Sequence, residues 1–565
     1  MTFILGLLAS SPLNYDHNAE RKAQLHEVLF VYLRRVCLAG IPTSGFLYPL
    51  IAWFFYTAEN TLGLAETLRT FFVWYEKKLW YWLFPVGWWM IGFILRFYLH
   101  RYVKPSVSHF KRKLRITQKT DALSDIRNEK EHYQPKTFLP EKYYQPDHMF
   151  IGLDANEEPI YIKRDDWRET NMQVLGPTRS GKGVAIGNLI DQAIFYGDTV
   201  IYIDPKGDKF IPHIMADRAK KMCRHFYAYD LNDATENEIR AGEWAPFTGG
   251  DERARRARIL TAFGLNDTGG ESDFYKGRER KLLDKLLVST NGRIPLLLEE
   301  FEKNADYQEQ GQRLYNAISQ WAKIKSLCPK KDRGLSIKKS LLNNAVIYVR
   351  GSMDDEIIRE ATRILVMEIV QEIKRLHHLR TSHVTLVIDE VRFLISNPLV
   401  DSLATIAGFN ANVAIAYQAK NDVRNLTDRT LDAKSIDQSI NINCQLKLIY
   451  GSLDPETNQW AEEMSGERLK LVTRNEHTKV GKLGEETWEN TRSIGQEKEG
   501  FITENTMLSL KRRVGILFQP RELAKVVFTS FVPTSMSNDF SKTEVIKPIN
   551  EKITSEGAEL DACDD

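Results

Sequence analysis

The run GPTRSGKG, Gly176 to Gly183, lies between an apolar stretch, Met172 to Leu175, and a helix-like one, Val184 to Ile194. No other feature constrains the fold as tightly. Glycines at 176 and 181 permit a tight turn in which backbone N–H groups and the next helix N-terminus face an anion, while Lys182 supplies a cation. The candidate phosphate-binding residues are therefore Gly176, Pro177, Thr178, Arg179, Ser180, Gly181, Lys182, Gly183 and Val184. Ile186, Leu189, Ile190 and Ala193 recur at helical spacing, which gives the helix an apolar face for a sheet. One position departs from the usual pattern. The Ser or Thr whose hydroxyl meets Mg²⁺ is here Gly183.

A second β-rich run, Thr199 to Ile203, follows a Gly197-Asp198 turn and ends in Asp204-Pro205-Lys206-Gly207-Asp208. With the loop it makes a strand-helix-strand unit of the parallel α/β type. Val384 to Ile388 is a buried-strand run followed by Asp389 and Glu390. A strand end fixes such a pair at the carboxyl edge of a sheet. There Asp389 can hold the Mg²⁺ shell, through water, and Glu390 can polarise an attacking water. Another strand-like run, Val413 to Tyr417, ends in Gln418, whose amide suits contact with a γ-phosphate or orientation of water. The catalytic candidates are thus Lys182, Asp389, Glu390 and Gln418, with ATP and Mg²⁺ as the implied ligands.

The amino-terminal region differs in character. Val36 to Ala58 and Leu79 to Leu95 carry no charged residue, and Trp53, Trp74, Trp80, Trp82, Trp88 and Trp89 lie within or beside them. Both runs are membrane-helix candidates with interfacial aromatics. Arg96 to Lys119 is strongly basic without an acid, whereas the loop from Glu59 to Lys78 balances bases with acids. The positive side faces the cytoplasm, so a two-helix hairpin is expected at 36–100 with both termini cytoplasmic and a short loop outside. Residues 1–35 are a cytoplasmic segment and 101–150 a basic stalk or linker. The nucleotide domain spans 151–248 and 343–535, interrupted at 249–342 by an all-helical insert, and 536–565 is an acidic flexible tail. Five cysteines without metal-like spacing predict reduced thiols, no disulfide and no zinc.

A formal charge of +2 over 565 residues leaves any nucleic-acid attraction to local clusters. One such cluster is Lys323, Lys325, Lys330, Lys331 and Arg333, continued by Lys338 and Lys339. It is either a stripe that follows phosphates or a solvated face.

Together, the variant loop ending in Gly183, Asp204 to Asp208, Asp389-Glu390, Gln418, and Asn443 through Asp454-Pro455-Glu456-Thr457 resemble the coupling proteins of type IV secretion and conjugation systems. The resemblance covers most of the chain. It implies a RecA-like P-loop NTPase motor with an inserted all-α subdomain and a transmembrane hairpin. Such a motor would form a homo-hexameric ring in the bacterial inner membrane, in contact with lipid. It would hydrolyse ATP and pass a relaxase-bound single DNA strand, or a protein, to the secretion channel. Arg350, Arg363 and Arg424 are arginine-finger candidates by placement. Two alternatives stay open, a double-stranded DNA translocase for chromosome segregation and a membrane scaffold that has lost hydrolysis. An ABC-type ATPase is disfavoured because no LSGGQ-like signature occurs.

Overall fold

The computed structural model describes residues 133–232, 242–267, 273–330, 334–426, 431–476, 479–480, 486–487, 491–538, 540 and 545–546, with scattered positions between 66 and 110. The chain divides into two compact units, residues 1–122 with 469–497, and residues 123–468 with 498–565. Most of the two uncharged runs, 36–58 and 79–95, lies outside the described residues. Among the described residues no helix is long and apolar enough to cross a membrane. In the first unit, helical positions Met90, Ile94 and Phe97 turn apolar side chains outward, and Leu99–Val103 is a π-helical turn.

The second unit is built on one sheet. His148–Leu153 (β1) and Pro159–Lys163 (β2) pair antiparallel. Arg164–Glu169 (α1) leads into Met172–Leu175 (β3), the glycine-rich loop, Lys182–Phe195 (α2) and Thr199–Asp204 (β4). Ile211–Lys221 (α3) and Phe226–Asp230 (β5) follow. The chain then turns helical through Glu252–Ala262 (α4), Asp273–Thr290 (α5), Ile294–Lys303 (α6), Ala305–Gln310 (α7), Gln312–Ala322 (α8) and Ile337–Leu342 (α9). Strand pattern resumes with Val346–Arg350 (β6), Glu356–Arg375 (α10) and Val384–Ile388 (β7). Next come Asn397–Leu403 (α11), Ala411–Tyr417 (β8), Ala433–Asn443 (α12), Leu446–Tyr450 (β9) and Pro455–Ser465 (α13). Glu467–Glu476 (β10) pairs with Thr491–Gly500 (β13), and Lys479–Val480 (β11) with Glu486–Thr487 (β12), in two small sheets whose residues belong mostly to the first unit. Glu504–Ser509 (α14), Val514–Phe518 (β14), Lys525–Phe528 (β15) and Val545–Ile546 (β16) complete the order.

The main sheet has twelve strands in the order β16-β5-β6-β4-β7-β8-β3-β9-β14-β15-β1-β2. From β5 to β9 neighbours run parallel, and the strands flanking that block are antiparallel. A parallel block must be covered on both faces, which is why β4, β7 and β8 are buried end to end. On β4, Val200 and Tyr202 join one core with Ile186 and Ile190 of α2, while Ile201 and Ile203 join the other with Ile364 and Leu365 of α10. Each such aliphatic side chain contributes about 1.5–3 kcal/mol by leaving water. The fold is thus a mixed, largely parallel α/β sheet covered by helices on both faces.

Two segments and one cysteine depart from expectation. The stretch before residue 150, read as linker, is packed at its end: Tyr143 stacks on Phe150 at 5.0 Å, and Phe138 meets both rings edge-on. Its prolines set extended backbone, but the aromatics between them supply a core. The expected flexible tail from residue 536 starts bound to the sheet. Asn538 donates to Asp217 at 2.7 Å, Phe540 is buried against His213 and Phe226, and β16 pairs with β5. Cys223, just past α3, is disulfide-bonded, correcting the expectation of no disulfide, because the spacing of a cysteine in the sequence does not report whether it is paired. Cys328 and Cys444 are free.

Arg218 of α3 ties the 140s segment to α2. Its guanidinium donates to both oxygens of Asp191 at 2.7 Å each and to Glu141 at 2.9 Å, while the Tyr144 hydroxyl donates to Asp191 at 2.8 Å. Asp191 and Arg218 are buried, but the Glu141 side chain is 52% exposed. Arg218→Ala strands a buried carboxylate and should cost about 3–5 kcal/mol. Glu141→Ala should cost below about 1 kcal/mol. Equal losses for the two variants in urea unfolding would contradict this arrangement.

Candidate nucleotide site

The carboxyl ends of parallel strands are where an open α/β sheet binds ligands. Here β3, β4, β7 and β8 lie in the order β4-β7-β8-β3, so their ends form one edge. Register fixes what appears there: Leu175 lies level with Tyr417, and Ile203 with Ile388. The chain leaves β3 into the glycine loop, β4 into Asp204 to Asp208, β7 into Asp389-Glu390, and β8 into Gln418. The edge therefore collects the four motifs singled out in the sequence.

Glycine is needed at two loop positions. Gly176 has φ +155°, and an added Cβ would sit 2.6 Å from Ser180 Oγ and 2.7 Å from Tyr450 Cβ. Gly181 has φ +126°, with Arg513 Cα 2.8 Å from its added Cβ. Arg179, at the turn, takes a left-handed φ of 65°. The loop is held from outside by Arg513, whose backbone N–H donates to the Ser180 carbonyl at 2.7 Å. Thr529 in turn holds Arg513, donating its N–H to that residue's carbonyl at 2.8 Å. The antiparallel strands β14 and β15 thus form a back wall for the loop. Nothing in the sequence marks Arg513 for this part.

α2 opens at Lys182, so its first free N–H groups face the loop. Lys182 is 8% exposed, and its Nζ has no hydrogen-bond partner. Glu390 Oε1 lies 3.8 Å away, at ion-pair but not hydrogen-bond distance. Ser180 Oγ is likewise buried and unpartnered. Buried donors left without acceptors are costly unless a ligand completes them. Together with the α2 N-terminus they fit a phosphate group.

The acidic side is fixed from three directions. Asp389 donates its backbone N–H to Ile203 at 3.0 Å, and the Tyr202 hydroxyl points at its Oδ2 at 3.4 Å. Burial, and then the neighbouring Asp204, push the Asp389 carboxyl up to about 6, against the pull of Lys182. Glu390 adopts a left-handed φ of 43°, which turns its side chain back towards Lys182, and it is 4% exposed. Gln418 Nε2 donates to the two Glu390 oxygens at 3.2 and 3.3 Å. Asp422 accepts the Gln418 N–H at 2.9 Å and so holds the end of β8. The Gln418 amide therefore engages Glu390, a contact the sequence did not indicate.

Asp204 is fully buried and accepts from the Lys206 and Gly207 N–H groups at 2.9 and 2.8 Å and from the Tyr348 hydroxyl at 2.8 Å. Among the described residues no three His, Cys, Asp or Glu side chains converge to hold a metal unaided. A Mg²⁺ held by Asp389 would need oxygens from phosphate and water to complete its shell.

The remaining candidates lie elsewhere. Lys323, Lys325 and Lys330 are exposed around the end of α8, whereas Lys331 and Arg333 lie outside the described residues. Each arginine-finger candidate already has a carboxylate partner in this chain. Arg350 is 3.5 Å from Asp230, Arg363 is 2.6 Å from Glu360, and Arg424 engages Asp437 at 2.8 Å and also Glu456.

Residues 119–326 match the family model described as type IV secretory system conjugative DNA transfer. Mobilization protein A of Escherichia coli is 25% identical over 330 residues, 58% of this chain and 60% of that protein, so the match leaves a large part of the relative uncovered. Among solved structures, the bacterial conjugative coupling protein TrwBdeltaN70 aligns with a TM-score of 0.49 at 15% identity, covering 74% of this chain and 97% of its own. TrwB in complex with ADP and Mg²⁺ gives 0.48 at 16%, covering 72% and 96%. VirB4 of Thermoanaerobacter pseudethanolicus gives 0.48 at 14%, covering 69% and 98%.

The raised Asp389 carboxyl makes a stability statement. Its folded form holds a proton up to about 6 rather than the ordinary 3.8. The ligand-free chain therefore loses stability as pH rises between those values. Asp389→Asn should melt higher than the parent at pH 7.5 and show little advantage at pH 4. A lower melting temperature for the variant at pH 7.5 would contradict the buried, uncompensated carboxylate.

Proposed function

We propose, from the chain's kinship with the type IV conjugative coupling protein family, that it is a P-loop ATPase coupling nucleotide hydrolysis to conjugative transfer. The observation that carries the reading is the buried, unpartnered Lys182 Nζ within 3.8 Å of Glu390, at a loop only glycine can form. ATP supplies the phosphoanhydride, and Mg²⁺, when bound, neutralises charge on the phosphate oxygens. The loop N–H groups and the start of α2 bind the phosphates, and Lys182 balances their charge. Asp389 would hold the water shell of the ion. Glu390 accepts a proton from the attacking water, and Gln418 keeps its carboxylate oriented through Nε2. Lys182 offsets the negative charge of Glu390 until phosphate takes its place.

The substrate is a relaxase-bound DNA strand or a protein handed to a type IV secretion channel, moved by a homo-hexameric ring. The family match over 119–326 supports this assignment. The uncharged runs at 36–58 and 79–95, with basic flanks, support a two-helix anchor in the bacterial inner membrane with both ends cytoplasmic. The exposed lysines after α8 offer a face for phosphates. The scaffold alternative has only Gly183 in its favour, against an otherwise complete set of acid, base and loop.

Lys182→Ala should lower ATP affinity at least about tenfold, and Glu390→Gln should keep binding while turnover falls about 10²–10⁴-fold. Both should abolish plasmid transfer between cells. Undiminished transfer in both variants contradicts the proposal.

A further inference from the structure

We infer that Asp208 stands in, at the magnesium position, for the loop hydroxyl that this chain lacks at Gly183. The inference rests on the nucleotide reading above. A Cβ added at Gly183 would meet one atom within 4 Å, Asp208 Oδ2 at 3.7 Å. The side chain that ordinarily follows the loop lysine would thus point at this carboxylate.

Asp208 is held for the purpose. Its Oδ1 accepts the N–H groups of Phe210 at 2.7 Å and Ile211 at 3.0 Å, at the start of α3. Its backbone N–H is bound by the buried carboxylate of Asp204, which also fixes Lys206 and Gly207. One oxygen is therefore committed to the helix, and the other faces the first turn of α2. The ligand-binding character of this corner has independent support in the buried, unpartnered Lys182 Nζ and Ser180 Oγ on the same loop.

The chemistry agrees. Mg²⁺ keeps several waters when a protein binds it beside phosphate, and a carboxylate can hold one of those waters as a hydroxyl holds the ion directly. A carboxylate also brings a negative charge where a hydroxyl brings none. Metal affinity should then depend more on this one residue than in a loop with serine. Gly183 has no left-handed φ and its added Cβ makes only ordinary contact, so a serine fits there without strain.

The test uses the full chain with ADP, and with Mn²⁺ as a paramagnetic probe titrated by electron paramagnetic resonance. Asn caps helices as well as Asp, so Asp208→Asn keeps α3, which its melting curve verifies. The variant should bind ADP without metal as the parent does. It should bind Mn²⁺ in the ADP complex at least about tenfold more weakly. Adding Gly183→Ser to Asp208→Asn should restore most of that loss. Mn²⁺ affinity equal to the parent's in Asp208→Asn, or a loss that Gly183→Ser leaves uncorrected, overturns the inference. Failure of the parent chain to bind ADP at all would instead remove the nucleotide reading on which it rests.

Discussion

The register of the parallel strands β4, β7, β8 and β3 decides whether this chain has a site at all. Side chains alternate faces along a strand, so a slip of one residue sends each to the opposite core. Val200 and Tyr202 belong with α2, and Ile201 and Ile203 with α10. Those burials lock Ile203 level with Ile388 and Leu175 level with Tyr417. Only then do Lys182, Glu390 and Gln418, distant in sequence, come within reach of one another. Packing energy on the two faces is thus what aims the chemistry at the edge.

The edge itself is strained and electrostatically unbalanced. One buried lysine faces Asp389 and Glu390, with buried Asp204 behind them. Burial pushes the Asp389 carboxyl up to about 6, a kind of perturbation that collects at functional sites. A divalent cation and a phosphate, arriving together, would satisfy both sides: the carboxylates receive positive charge and the lysine an anion. The antiparallel strands β14 and β15 brace the loop through the backbone of Arg513.

The parts legible in the sequence were those with a local signature. Glycines flanking an apolar strand and a periodic helix marked the loop, and an apolar run ending in two acids marked Asp389 and Glu390. What stayed hidden depends on distant neighbours. The Gln418 amide lies next to Glu390 because β8 lies beside β7, and no spacing rule conveys that. Arg513 acts through its backbone, so its residue type carries no signal. Prolines made the segment before residue 150 read as linker, although Phe138 and Tyr143 pack on Phe150. Acidic composition concealed Phe540, which is buried beside the contacts of the start of the tail with Asp217 and β5. Asp208 lay in a recognised run, but its proximity to Gly183 arises from the β3-to-β4 crossover.

A structure of the full chain determined with ADP and Mg²⁺ would show whether this sheet edge holds a nucleotide. The β-phosphate should lie within hydrogen-bond distance of the 181–184 backbone N–H groups, with Lys182 Nζ drawn from Glu390 onto phosphate and the metal between phosphate and Asp389. Nucleotide bound away from the 176–183 loop, or Lys182 still facing Glu390 with the ligand in place, would contradict this arrangement.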